Sequence, residues 1–198
     1  MSRGLGDVYK RQGLFFPWKV GISERLIISD LDNFAQKHNG DIIPIMKNLT
    51  LDYNKVTSIA IAGNSGSGKS YALTYFLSHL KQISELIIID PKFDTPSRWA
   101  RENNIAIIHP QKNRSKSDFV SEINENLSAS LNIIQQRQEI LFDNPKHQFE
   151  HLTIVIDEVL ALSEGVNKTI KESFFSLLSQ IALSLIHISE PTRHSLIS

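Results

Sequence analysis

The segment at residues 63–70, Gly-Asn-Ser-Gly-Ser-Gly-Lys-Ser, constrains this chain more than any other part of its sequence. It matches the pattern G-x-x-x-x-G-K-[ST] at every fixed position. An apolar run at residues 58–62 precedes it, and a helical stretch at residues 71–82 follows it. This strand–loop–helix context favours a phosphate-binding loop over a Gly/Ser turn with a solvated lysine. The sequence therefore predicts a binding site for a nucleoside triphosphate.

The chemistry of such a loop depends on backbone donors. Its glycines permit positive φ and a close approach to the ligand, so that successive N–H groups at the start of a helix can point at phosphate oxygens. Lys69 is predicted to bridge the β- and γ-phosphates, and the Ser70 hydroxyl to ligate Mg²⁺. The predicted nucleotide-contacting residues are Gly63, Asn64, Ser65, Gly66, Ser67, Gly68, Lys69, Ser70 and Tyr71.

A second candidate element is the apolar run at residues 152–156, which ends in Asp157 and Glu158. Because ligands of open α/β sheets bind beyond the carboxyl ends of the strands, these two acids are predicted to lie near the phosphate loop. Asp157 is expected to hold Mg²⁺ through a coordinated water, and Glu158 to polarise the attacking water as general base. Lys69 and Glu158 are therefore the predicted catalytic residues.

Two alternatives to this assignment remain open. Asp157 would instead cap the helix that follows it, which is a common role for an aspartate at that position. Asp90 also ends an apolar strand, at residues 85–89, and is the rival acid for Mg²⁺. Pro91 and Lys92, which follow Asp90, favour a binding turn there over a hydrolytic site.

Composition narrows the class of protein. The 198 residues include 41% hydrophobic and 21% charged residues, as in an ordinary globular protein with one full core. There is no cysteine, which excludes disulfides and thiolate metal sites, and the formal net charge is zero. Without an overall basic field or an apolar run long enough for a membrane span, the expected location is the cytoplasm. Any membrane attachment would lie in parts of the parent protein outside this chain.

The two ends of the chain are related at the level of codons. The codons of residues 2–12 and 183–193 can be written as opposite strands of one DNA segment, and Met1 with His194 extends the pairing. The segment also resembles the translated transposon-end adaptor of sequencing libraries. We expect residues 1–12, taken as disordered, and residues 183–198 to be adaptor-like read-through that truncates the gene near Ala182. The alternative is an inverted repeat of a mobile element.

Between those ends, strands alternate with helices. A strand pair is expected at residues 41–46 and 49–53, followed by strands at 57–62, 85–90, 105–108 and 152–158. Helices are expected at residues 69–82, from 96 to about 103, from a cap at Asp118 to about 142, and at 159–163 and 167–181. This order predicts an α/β, three-layer P-loop NTPase fold of RecA-like type with a mainly parallel sheet, incomplete at its C-terminus. Residues 13–48 are a lead-in segment, and residues 49–182 are the partial ATPase domain.

Three sequence elements resemble the FtsK/SpoIIIE family of DNA-pumping ATPases. They are the phosphate-loop region at residues 59–70, the Asp-Pro-Lys ending of the strand at residues 87–92, and the Asp-Glu strand at residues 154–158. The stretch Gln-Gln-Arg-Gln-Glu at residues 135–139 is also similar, and the resemblance covers about residues 41–182. The turn at residues 92–96 looks closer to transfer proteins of Gram-positive conjugative elements.

This resemblance implies a homo-hexameric ring around double-stranded DNA that couples ATP hydrolysis, with Mg²⁺, to DNA movement in conjugative transfer or chromosome segregation. The family's sensor strand and trans-acting arginine are expected beyond the cut, so the fragment itself would hydrolyse little. The alternatives are a related secretion ATPase that moves protein, and a non-catalytic nucleotide-binding module.

Direct evidence for DNA contact is weaker. Six basic residues lie between positions 92 and 116, and they could face phosphates, but a solvated mixed surface is the commoner case for such a stretch. Those residues are Lys92, Arg98, Arg101, Lys112, Arg114 and Lys116.

Overall fold

The computed structural model describes residues 25–64 and 66–189. The adaptor-like segment 1–12, the first half of the lead-in segment, Ser65 and residues 190–198 lie outside the described residues. Within the described part the chain forms α1 (Leu31–Lys37), β1 (Ile42–Met46), β2 (Leu49–Asp52), a short 3₁₀ helix (Tyr53–Lys55), α2 (Lys69–Leu80), β3 (Ser84–Ile89), α3 (Thr95–Glu102), β4 (Ile107–Ile108), α4 (Lys116–Asp143), β5 (His151–Ile156), α5 (Val159–Ser163) and α6 (Lys168–Ser189).

The central sheet is parallel, with strand order β4–β3–β5. Ile88 and Ile89 of β3 pair with Ile107 and Ile108 of β4, and Ile89 also lies opposite Ile156 of β5. Strands β1 and β2 form a separate antiparallel hairpin. The α/β fold class and the parallel sheet predicted from the sequence are confirmed.

Helices cover both faces of this sheet, which explains why its strands are continuous apolar runs. On one face, Ile88 of β3 packs with Leu77 of α2 and with Trp99 and Ala100 of α3. On the other face, Ile89 belongs to a larger core made mainly by α4 and α6. Alternate residues of β3 therefore anchor the two helical layers, and the strand ends are held rigidly at the edge where the loops begin.

The expected strand at residues 57–62 is wrong, since the described chain forms no strand ladder there. Ile59 and Ile61 in this run are 44% and 39% exposed. A strand needs a neighbour to accept its backbone hydrogen bonds, and β5 pairs only with β3 among the strands described. The run is apolar, but an apolar pattern alone does not supply the neighbouring strand.

The expected cap of the long helix is also wrong. Helix α4 begins at Lys116, and its N-cap is Ser115, whose side chain accepts the N–H of Asp118. The Asp118 carboxylate in turn accepts the N–H of Ser115, which completes a capping box. Asp118 is therefore the third residue of the helix and not its cap.

Helix α6 continues to Ser189, past residue 182, where the adaptor-like segment is expected to start. A helical conformation does not test where that segment came from, so the domain boundaries remain predictions.

Candidate functional site

The phosphate loop lies directly before α2. Gly68 is the N-cap of α2 and has left-handed backbone geometry (φ 91°), and Gly66 also has positive φ (77°). A Cβ added at Gly63 would collide with the Ser67 hydroxyl. Positive φ therefore favours glycine at positions 66 and 68, whereas a side chain at position 63 would require Ser67 to move.

Lys69 folds back over this loop. Its ammonium group donates to the backbone oxygens of Gly63 at 2.6 Å and Asn64 at 3.0 Å. Ser70 and Tyr71 follow in the exposed first turn of α2, and Tyr71 is 86% exposed. The first turn of an α-helix leaves its N–H groups without intrahelical acceptors, so this segment offers backbone donors, an ammonium group and a hydroxyl together.

The direction of α2 places this loop relative to the sheet. Only residues 81–83 separate α2 from β3, and Leu77 of the helix packs on Ile88 of the strand. Two packed elements joined by so short a turn run in opposite directions. The N-terminus of α2 therefore lies toward the carboxyl edge of β3, the edge from which Asp90 and Asp157 emerge.

Asp157 lies directly after β5, and its backbone N–H donates to the Ile89 oxygen at 3.0 Å. Burial raises the pKa of its carboxyl group, and the nearby charges of Asp90 and Glu158 raise it further. The N-cap residue of α5 is Glu158 and not Asp157, so Asp157 does not have the helix-capping role considered above. It is a half-buried carboxylate at the strand end.

Glu158 adopts a left-handed conformation, with φ 45° and ψ 61°, which is uncommon for a residue other than glycine. It makes no capping hydrogen bond to α5. Its carboxylate instead forms an ion pair with Lys92, with 2.6 Å between Nζ and Oε2. The predicted general base is therefore held by a residue from the loop after β3.

Asp90 has a different environment from either of these acids. It is completely buried, and its two carboxylate oxygens accept hydrogen bonds from the backbone N–H groups of Lys92, Phe93, Asp94 and Ser97. The Ser97 hydroxyl donates a fifth bond at 2.6 Å. Because these donors occupy both oxygens, Asp90 organises the turn after β3, and the geometry argues against it as the rival metal ligand.

The sequence analysis missed both the Lys92–Glu158 ion pair and the role of Ser97. The ion pair depends on the alignment of the two strands, in which Ile89 lies opposite Ile156, so that the residues shortly after each come close together. The contact of Ser97 with Asp90 depends on how α3 folds back after the turn. Neither feature is marked in the local sequence.

The residues present fit a nucleotide with Mg²⁺. The Ser70 hydroxyl and the Asp157 carboxylate are the hard oxygen donors that Mg²⁺ prefers. The described residues contain no group of three or more His, Cys, Asp or Glu side chains that would hold a metal ion alone. A cation here would accordingly share its coordination with phosphates and water, as Mg²⁺ at nucleotide sites does.

No helix in the described part of the chain is long and apolar enough to cross a membrane.

The chain matches a known protein family. The family model described as an AAA domain matches residues 54–196, more than two thirds of the 198-residue chain. Comparisons with curated proteins and with solved structures returned no match. The matched region contains the phosphate loop, the parallel sheet and the Asp157–Glu158 strand end. The chain therefore belongs to the AAA domain family, the P-loop modules that bind and hydrolyse ATP.

Proposed function

We propose that this chain is the ATP-binding motor domain of an FtsK-like translocase, which couples ATP hydrolysis to the movement of double-stranded DNA. The nucleotide-binding part of the proposal rests on the phosphate loop at the start of α2, where Lys69 is held over the loop carbonyls. The family match over residues 54–196 supports the same part.

In this proposal each residue has one task. The backbone N–H groups of residues 63–71 bind the phosphates, and the Lys69 ammonium moves from the loop carbonyls onto the β- and γ-phosphate oxygens. Ser70 and Asp157 hold Mg²⁺, Asp157 through a water. When bound, Mg²⁺ supplies neutralisation of the charge that develops on the phosphates. Glu158 accepts a proton from the attacking water once its carboxylate is free of Lys92.

The DNA-moving part of the proposal rests on the resemblance of the Asp-Pro-Lys turn and the Asp-Glu strand end to the FtsK/SpoIIIE family. The basic stretch adds little support. Arg98 pairs with Asp94 at 2.7 Å, Arg114 pairs with Glu122, and Lys92 pairs with Glu158. Three of its six cations thus form ion pairs within the chain and a fourth, Arg101, lies over the Phe93 ring. The DNA-contacting surface is expected elsewhere in a homo-hexameric ring.

The test measures ATP hydrolysis by the assembled protein. We expect it to hydrolyse ATP in the presence of Mg²⁺, with a rate that rises several-fold when linear duplex DNA is added. Robust hydrolysis without any response to DNA would favour a secretion ATPase that moves protein. Mg²⁺-dependent ATP binding without turnover in the assembled protein would instead indicate a nucleotide-binding module, and either result overturns the translocase proposal.

A further inference from the structure

The Lys92–Glu158 ion pair lies next to Asp157, the proposed metal ligand. Lys92 comes from the loop after β3, whereas Glu158 and Asp157 come from the end of β5. The ammonium group contacts the Glu158 carboxylate at 2.6 Å. It is also attracted by the charges of Asp157 and Asp94, and together these carboxylates raise the pKa of Lys92. One internal cation thus faces several carboxylates.

The backbone position of Lys92 is fixed by the fold. The backbone N–H of Lys92 donates to the Asp90 carboxylate at 3.0 Å, and Asp90 is completely buried. Strand β3 is hydrogen-bonded to β5 over its full length, with Ile89 opposite Ile156. The backbone of Lys92 is therefore held close to the end of β5, and its exposed side chain reaches Glu158 from there.

The ion pair itself is open to solvent. The side chains of Lys92 and Glu158 are 54% and 43% exposed. Ion pairs between groups exposed to this extent are weak, because water screens the charges and two long side chains lose freedom. A divalent cation held by nucleotide phosphates can therefore replace the ammonium at little cost.

We propose that Lys92 is a positioning residue that serves as an internal counter-cation for the Asp157–Glu158 pair and competes with the divalent cation of the nucleotide site. In the nucleotide-free chain its ammonium balances the carboxylates and holds Glu158. When cation and nucleotide bind, the lysine gives up that contact, and Glu158 becomes free. This inference rests on the proposed function, because it takes Asp157 to be part of the metal site.

The competition has a measurable size. Removing one positive charge next to two carboxylates strengthens their attraction for a cation, and solvent screening keeps the effect moderate. We expect the Lys92→Met variant to bind the cation about three- to tenfold more tightly than the unaltered chain. Binding free energies are reciprocal, so cation binding weakens the Lys92–Glu158 contact by the same factor.

The experiment is an equilibrium titration of the 198-residue chain with Mn²⁺, which reports the cation by electron paramagnetic resonance without any turnover. It is carried out with and without a saturating non-hydrolysable ATP analogue. Lys92→Met is compared with Lys92→Arg, which keeps the charge, and with Lys146→Met. Lys146 lies in an exposed turn before β5, at the opposite edge of the sheet, and so is the matched control for loss of charge. Circular dichroism checks that each variant is folded.

The inference predicts tighter Mn²⁺ binding for Lys92→Met alone, with Lys92→Arg and Lys146→Met close to the unaltered chain. It is overturned if Lys92→Met binds Mn²⁺ within twofold of the unaltered chain, or if Lys146→Met shifts the affinity equally. The titration separates this failure from failure of the proposed site. If the analogue does not increase Mn²⁺ binding to the unaltered chain, or if Asp157→Asn does not change Mn²⁺ binding, the assignment of the metal site is wrong. The inference about Lys92 is then wrong as well.

Discussion

The turn after β3 and the turn after β5 begin from the same sequence pattern and end in opposite environments. Each follows a buried apolar strand, and each starts with an aspartate. Asp90 is completely buried and accepts five hydrogen bonds within its own turn. Asp157 is half-buried, and burial together with neighbouring acids raises the pKa of its carboxyl group.

This contrast shows that an aspartate at a strand end acquires its role from the donors around it. Five donors satisfy Asp90, so its charge stabilises the turn and leaves no oxygen for a ligand. Asp157 lies among acids, so its ionised form gains most from a cation brought in from outside. Adjacent strands of one sheet thus carry a structural acid and a candidate metal ligand next to each other.

The largest effect is expected from Asp90→Ala. This substitution leaves buried N–H donors without an acceptor, and the removal of one partner from a buried charged network costs about 3–5 kcal/mol of unfolding free energy. Asp157→Ala is the matched variant at the other strand end and should lose far less stability. Urea unfolding followed by circular dichroism measures both.

Ser97→Ala should cost less stability than Asp90→Ala, since it removes only the hydroxyl that donates to Asp90 at 2.6 Å. Its expected cost is about 1.5–3 kcal/mol, the range for a hydrogen bond to a charged group. Equal stability losses for Asp90→Ala and Asp157→Ala would contradict the division of roles between the two turns.

The next effect concerns the residue after Asp157. In a form of the protein that hydrolyses ATP, Glu158→Gln should lower kcat by about 10²-fold or more, the usual contribution of a general base. ATP binding should persist, because the amide keeps the size of the side chain and the phosphate loop is untouched. Steady-state ATPase assays with a parallel nucleotide titration test this, and unchanged turnover would remove Glu158 from the proposed role.

The smallest expected effect is a change in pH dependence. The pKa of Asp157 in the folded chain lies above its ordinary value of 3.8, chiefly because of burial. At a pH between 3.8 and the pKa in the folded chain, the folded state binds more protons than the unfolded state. The contribution of Asp157 to stability therefore decreases as the pH rises through this range. Asp157→Asn has no carboxyl group to titrate there. Its stability relative to the unaltered chain should therefore increase from about pH 4 to about pH 7. Urea midpoints at the two pH values measure the difference, and a constant offset would show that the Asp157 environment is not as described.

Much of the fold could be predicted because the spacing of apolar residues along the sequence reflects which side chains are buried. The runs that became β3 and β5 are apolar on both faces, and α2 carries its apolar residues at helical spacing, so the element order followed from the sequence. The phosphate loop was equally readable, because Gly66 and Gly68 occupy positions that need positive φ. In each case the cause lies within a few neighbouring residues.

Apart from the cap of α4, where Ser115 and not Asp118 begins the helix, the errors arose where the cause lies outside the segment that carries the pattern. Residues 58–62 have the composition of a strand, but a strand also needs a neighbour that local sequence does not specify. The strands that precede Asp90 and Asp157 do not distinguish the two acids, because the hydrogen-bond donors that satisfy Asp90 come from Ser97 and the turn before it. The Lys92–Glu158 pair likewise depends on the alignment of β3 with β5, which appears only when the sheet is assembled.

The most direct test of the central claim is nucleotide binding by the 198-residue chain and its Lys69→Ala variant. Titration with a fluorescent ATP analogue should give saturable binding to the unaltered chain and at least tenfold weaker binding to the variant, since a charge-assisted contact to phosphate is lost. The Lys146→Ala control should bind like the unaltered chain. Urea unfolding should show Lys69→Ala to be folded, because the Lys69 ammonium contacts two carbonyls of an exposed loop. Equal affinity for the analogue in the unaltered chain and in Lys69→Ala would contradict the assignment of residues 63–70 as the nucleotide site.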